Sequence, residues 1–170
     1  ADIVPLIGEN RILTYVGLQV INSNPRLGLH CLLQNNNKKE FNVGDLMFYV
    51  GPRINAAGRM DHASLALELL LEKELDKGKK LAEKIEELNI QRREIEKNIT
   101  EQALKKIDNE NKLNSNSTVV FEKSWNKGVI GIVASRLIEK HYKPTIVFCK
   151  SKDGNLTGSA RSIKDVDLYK

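Results

Sequence analysis

Between residues 63 and 108 the chain carries its strongest periodic signal, and that signal limits what the rest can be. Ala63 to Leu71 predicts one apolar-rich helix, and Asp76-Lys77-Gly78 predicts an interruption or kink. Beyond it Leu81, Ile85, Leu88, Ile95 and Ile99 recur at intervals of three, four and seven, which places them along one helical face. Arg92 stands where this stripe should continue. With fewer than four clean heptads and an arginine in the seam, the pattern argues against a coiled coil. It predicts an amphipathic helix packed between two domains, its balanced charges forming a solvated outer face without chemistry of its own.

The flanks differ in kind. Residues 1–62 predict short helices and turns: Ile12, Leu13, Val16, Val20 and Ile21 have helical spacing, and Asn22-Ser23-Asn24-Pro25 ends that run. A second short helix over Pro25–Leu33 stops at the polar loop Asn35-Asn36-Asn37. After residue 109 the period changes. Thr118-Val119-Val120-Phe121 predicts a strand, Val129–His141 a helix, Thr145-Ile146-Val147-Phe148 a second strand, and Leu156–Arg161 a third strand after the turn Asp153-Gly154-Asn155. Strand, helix, strand predicts a parallel βαβ pair followed by a hairpin partner. The expected class is α/β: a mostly helical part (1–62), a long connector helix (63–108) and a partial α/β module with a mixed sheet (109–170).

Charge separates the same regions. The 170 residues carry a net charge of +5, to which residues 1–70, 71–110 and 111–170 contribute 0, −1 and +6. An excess confined to the last third is what a module facing an anionic polymer shows, and scattered surface lysines are the bland alternative. No apolar run approaches the roughly 20 residues of a membrane span, so no membrane partner is expected. Ala1-Asp2-Ile3-Val4-Pro5-Leu6 has no basic region of the kind a signal peptide needs, and both chain ends read as cuts through a longer protein. Cys31 and Cys149 lie far apart, outside any CxxC or Cys/His cluster, and read as buried thiols of a cytoplasmic protein.

Three segments have the residue types for anion chemistry. In Gly51-Pro52-Arg53-Ile54-Asn55-Ala56-Ala57-Gly58-Arg59-Met60, small residues allow close approach to the backbone, and Arg53 and Arg59 offer planar forks for phosphate. The alternative is a tight turn whose arginines cap neighbouring helices. In Gly158-Ser159-Ala160-Arg161-Ser162, hydroxyls and an arginine follow a strand and could converge on one phosphate; a polar strand end is the alternative. The run from Trp125 through Asn126, Lys127 and Gly128 to Leu137 opens a helix, whose first amides make an anion site possible. Packing is the better reading for Gly131, while Asn126 and Lys127 stay open. His30, His62 and His141 have no metal-ligand spacing, and Asp61 is expected near a helix N-cap.

In order along the chain, these segments resemble the RecJ family of single-stranded-DNA-specific 5′→3′ exonucleases in the DHH phosphoesterase superfamily. Ala1-Asp2-Ile3-Val4-Pro5-Leu6 is similar to the end of the family's fourth motif, G-T-V/I-A-D-x-x-P-L. Gly51–Met60 is similar to G-P-R-I/L-N-A-A-G-R, Trp125–Leu137 to W-H-x-G-V-I-G-I-V-A-S-R, and Gly158–Ile163 to G-S-A-R-S-I. The resemblance implies that residues 1–62 end a DHH phosphoesterase domain and that 109–170 begin a DHH-associated domain. It implies Asp2 as a ligand for Mn²⁺ or Mg²⁺, and Arg53, Asn55 and Arg59 near the scissile phosphate. It implies Ser159 and Arg161, with Ser162, Asn126 and Lys127 nearby, as holders of single-stranded DNA. Asn126 replaces the family's usual histidine.

The family's D-x-D, second acidic and D-H-H motifs would all precede residue 1. One aspartate cannot fix two ions, so the expectation is a parent enzyme of DNA repair and recombination and an inactive, metal-free 170-residue piece. Two other readings compete: a DHH phosphoesterase acting on short RNA or cyclic dinucleotides, and a non-catalytic binding module. The first normally carries a G-G-G-H-x-x-A-A-G type segment, where this chain has Gly158-Ser159-Ala160-Arg161-Ser162.

Overall fold

The computed structural model describes residues 4–34, 36, 38–109 and 115–168; Asp2, Asn35 and Asn37 lie outside them. The chain forms two compact units, residues 1–90 and 91–170. The boundary falls inside one continuous helix.

In the first unit α1 (Gly8–Ser23) and α2 (Leu27–Leu33) follow the expected pattern. The Asn22 side chain grips the Phe41 backbone twice, accepting from its N–H at 2.7 Å and donating to its carbonyl at 2.9 Å. From Val43 to Met60 the chain is helical throughout: α3 (Val43–Asp45), a π-helical turn (Leu46–Val50) and α4 (Gly51–Met60). Asn42 starts this run with a capping box, its side chain accepting from the Asp45 N–H while the Asp45 carboxylate accepts from the Asn42 N–H. The tight turn considered for Gly51–Met60 is therefore replaced by a helix. Pro52 lacks an N–H, and its ring would meet the carbonyl one turn back. The widened turn immediately before it, where the Gly51 N–H reaches Leu46 O, makes room for the ring.

Two boundaries differ from the sequence expectation. Asp61 ends α4, its N–H bonded to Ala57 O, instead of starting α5 (Ser64–Leu71). The break after α5 falls at Glu72–Glu74, ahead of Asp76-Lys77-Gly78, which lies in the opening turn of α6 (Leu75–Asn109). Glu72 is extended, and its carboxylate accepts from the N–H groups of Lys73 (2.7 Å) and Glu74 (2.8 Å), so it fixes the link that leads into the new helix. Gly78 does not break the helix. It lets α6 approach α2, since a Cβ there would sit 3.0 Å from Cys31 Sγ. Leu32, Leu33, Val50, Ala57, Leu65, Leu69 and Ile85 form the core of this unit.

The second unit has the expected order. β1 (Thr118–Phe121) pairs in parallel with β2 (Thr145–Lys150), β2 pairs antiparallel with β3 (Leu156–Arg161), and α7 (Ile130–His141) makes the crossover. Val120, Val147 and Cys149 face α7, whose Ile130, Val133, Ala134 and Leu137 are buried. Ile99, Ala103 and Ile107 of α6 complete that core. Arg92 fits the apolar stripe because it is paired. It donates to Glu96 at 3.1 Å, and Glu96 also accepts from Arg136 of α7 at 3.0 Å.

Substitutions at three positions probe these contacts. Gly28→Ala would push a Cβ to 2.0 Å from Leu69 O and should cost about 3 kcal/mol or more in a denaturant melt. Gly17→Ala, in the middle of α1 with nothing within 4 Å, should stabilise by about 0.5–1 kcal/mol. The backbone N–H groups of Glu74 and Lys73 hold the Glu72 carboxyl below its ordinary range. A depressed carboxyl stabilises the fold above its unfolded pKa, near 4.3, and loses that contribution as pH falls through its folded value. Glu72→Gln keeps an acceptor oxygen but cannot titrate, and should flatten that acid-side loss.

Candidate nucleic-acid interface

Strand alternation decides which β3 side chains share a face: Thr157, Ser159 and Arg161 lie on the α7 side, Gly158 and Ala160 on the other. Gly131, in the first turn of α7, lies directly against the first set. A Cβ there would be 3.0 Å from Ser159 Oγ and 3.4 Å from Arg161 Nη2. Arg161 folds back along its own strand, donating from Nη1 to Ala160 O at 2.8 Å and toward Ser159 Oγ at 3.4 Å. A hydroxyl, a guanidinium and the electropositive start of a helix thus meet at one surface point. Gly158 serves packing on the other face, where the Phe148 ring covers it, 2.5 Å from any added Cβ. Ser162 points elsewhere, donating to Val166 O beyond the strand.

The loop before α7 is ordered by Asn126. Its Oδ1 accepts from the Gly128 N–H at 2.8 Å, and its carbonyl accepts from Val129 (3.0 Å) and Ile130 (3.2 Å). The residue that departs from the family pattern therefore shapes the helix entry. Trp125 is buried, its Nε1 donating to Gln102 at 2.9 Å, which is the core role considered for it. Lys127 is exposed. Sequence reasoning missed Lys150, Ser151 and Lys152, which line a surface groove with Trp125, Asn126, Lys127 and Asp153.

In the first unit α4 divides its three candidate residues. Arg53 is buried: Nε donates to Glu86 Oε2, Nη1 to Tyr49 O at 2.8 Å, and the guanidinium stacks 3.5 Å from the centre of the Tyr49 ring. Asn55 and Arg59, one turn apart, face out on the opposite side. Ala56 and Ala57 are fully buried and let the helix pack closely. Asp61 Oδ1 lies 4.0 Å from His62 Nε2 and its Oδ2 3.9 Å from Lys84. Among the described residues no three His, Cys, Asp or Glu side chains are grouped to hold a metal, and Asp2 lies outside them. The described donors do not fit a divalent ion.

Residues 114–170 match the DHHA1 domain family. The single-stranded-DNA-specific exonuclease RecJ of Haemophilus influenzae is 40% identical over 99% of this chain, and that of Bacillus subtilis 36% over 99%. The chain spans 30% and 22% of those proteins' lengths. The crystal structure of RecJ in complex with Mn²⁺ from Thermus thermophilus superposes with a TM-score of 0.84 at 30% identity, over 98% of this chain and 24% of that one. Its Mg²⁺ complex gives 0.83 at 28% identity, over 99% and 26%. Similarity of this extent, along both units and in fold as well as sequence, means that the chain belongs to the RecJ family of the DHH superfamily.

Proposed function

We propose that this chain is the phosphate-holding part of a single-stranded-DNA-specific exonuclease that hydrolyses DNA 5′→3′ with Mn²⁺ or Mg²⁺, in repair and recombination. The observation that carries this reading is the meeting of Ser159, Arg161 and the start of α7 across Gly131. Ser159 Oγ donates to one phosphate oxygen, and Arg161 presents the N–H groups not engaged by Ala160 as a fork for others. The start of α7 adds the partial positive charge of the helix dipole. A metal, when bound in the complete enzyme, supplies the activated water. Among the residues of this chain the resemblance offers Asp2 alone as a ligand. Purified alone, the chain therefore binds without cutting.

On α4 we assign substrate contact to Asn55 and Arg59, which are exposed, and a supporting role to Arg53. A guanidinium already matched to Glu86, Tyr49 O and the Tyr49 ring fixes the helix that presents the other two. Asn126 and Ser162 act by holding loops. We place the protein in the cytoplasm, which suits its free buried Cys31 and Cys149 and a DNA substrate. No helix among the described residues is long and apolar enough to cross a membrane.

Arg161→Ala should weaken binding of an oligothymidylate by the 170-residue chain and lower the slope of log K against log salt by about 0.7, the share of one single-strand phosphate. An unchanged slope would remove the phosphate role. Arg53→Ala should instead lower stability by roughly 3 kcal/mol in a melt, because Glu86 loses its partner. Arg59→Ala should reduce hydrolysis by the complete enzyme. Release of nucleotides by the purified chain with Mn²⁺ would contradict the division of labour proposed above.

A further inference from the structure

Lys127, Lys150 and Lys152 surround the groove beside Trp125 and Asn126, with Ser151 and Asp153 completing its wall. The lysines come from two places in the sequence. Lys127 follows β1 and precedes α7, whereas Lys150 ends β2 and Lys152 lies in the hairpin turn. The parallel crossover unites them, because it puts the end of β1, the end of β2 and the loop entering α7 at one edge of the sheet. That edge, outside the carboxyl ends of parallel strands, is where open α/β sheets take ligands.

Two details indicate what the groove takes. No carboxylate forms an ion pair with Lys127, Lys150 or Lys152 among the described residues, whereas Arg53, Arg92, Lys106 and Arg136 all have acidic partners. The Ser151 hydroxyl is shielded from solvent and has no hydrogen-bond partner. Buried hydroxyls without partners are uncommon, and this one lies in the wall of a groove ringed by ammonium groups. Ammonium groups and a hydroxyl donor match phosphate oxygens. The one aromatic ring in the wall, Trp125, is buried, so the groove offers no exposed aromatic to anchor a peptide side chain.

We infer that Lys127, Lys150, Lys152 and the Ser151 hydroxyl form a second phosphate subsite for a nucleic-acid strand, separate from Ser159 and Arg161. This rests on the nucleic-acid reading proposed above and extends it. Lys150 is the register partner of Leu156, and Ser159 lies three residues further along β3, about 10 Å at roughly 3.3 Å per residue. By strand alternation Lys150 also lies on the sheet face opposite Ser159 and Arg161, so the two places hold different phosphates. A strand held at Ser159 and Arg161 reaches the groove with a phosphate further along, so the surface engages a short run of the backbone. The hairpin turn that carries Lys152 keeps its shape through Gly154, at φ +83°, and the Ser151 N–H bond to Asn155 O at 2.8 Å.

The test is salt-dependent binding of a fluorescent oligothymidylate of about twelve nucleotides to the 170-residue chain without divalent metal. The Lys150→Ala/Lys152→Ala variant should lower the log K against log salt slope by about 1.4, two single-strand phosphates' worth. Ser151→Ala, which keeps every charge, should weaken binding several-fold with the slope retained. A charge-matched control, Lys105→Ala/Lys140→Ala on the outer helix surfaces, should leave the slope in place. An unchanged slope in the groove variant, an equal drop in the control, or no salt-dependent binding by the unaltered chain would each overturn the subsite. If Arg161→Ala lowers the slope and the groove variant does not, this inference fails alone. If the groove variant lowers it and Arg161→Ala does not, the subsite stands and the Ser159–Arg161 reading falls.

Discussion

The closeness of α7 to β3 at Gly131 governs the chemistry of the second unit. With no side chain at that position, the first turn of α7 reaches the Ser159 hydroxyl and the Arg161 guanidinium. A Cβ there would meet the Ser159 hydroxyl at 3.0 Å, so the hydroxyl or the helix would have to give by a few tenths of an ångström, and longer side chains would crowd the two donors further. The rest of the unit fixes this approach. Val120, Val147 and Cys149 fill the space under α7, and the Phe148 ring sets β3 from the opposite side by packing on Gly158. The glycines on either side of this strand thus serve packing, and packing positions the polar groups.

A second regularity separates arginines that hold structure from those that remain available. Arg53 and Arg92 lie in apolar surroundings, each matched to a carboxylate, Glu86 and Glu96, and Glu96 also receives Arg136. Burying a guanidinium without such a partner would cost several kcal/mol, so the pairing is a condition of the fold. Arg161, in contrast, is exposed and bonded within its own strand. A contact to its own backbone is easily exchanged for one to a phosphate, since the charged acceptor makes the stronger hydrogen bond. Sequence alone weights all these arginines equally; geometry does not.

The mixed sheet was legible because its strands and helix have different periods and a turn signal stands between β2 and β3. The stripe in α6 was legible for the same reason. What escaped depends on interactions that periodicity does not encode. Glu72 follows one helical segment and fixes the link to the next with its own carboxylate, which a search for glycine as the breaker passes over. Gly78, the residue such a search selects, lies inside the helix because Cys31 needs the space. Gly51–Met60 resembles a loop by composition, yet the π turn before it accommodates Pro52 and the helix continues. Arg53, Asn55 and Arg59 are close in sequence, but one turn of helix places the first opposite the other two. The groove lysines show the reverse case: Lys127 and Lys150 are far apart in sequence and joined by topology.

The same topology explains where the positive charge of the last third goes. Residues 111–170 hold an excess of +6, but Arg136 is answered by Glu96 and Glu139. Among the described residues, Lys127, Lys150 and Lys152 have no acidic partner and lie where the parallel crossover puts loops: Lys127 on the way into α7, Lys150 and Lys152 where β2 turns into β3. Field from ammonium groups falls off within about 10 Å at moderate salt, so clustering matters more than the total. A unit with the same net charge spread evenly would attract a polyanion without orienting it. Here the charge collects at one edge, beside a helix start and two donors already in register. A backbone attracted to that edge therefore meets fixed hydrogen-bonding groups as well as a field.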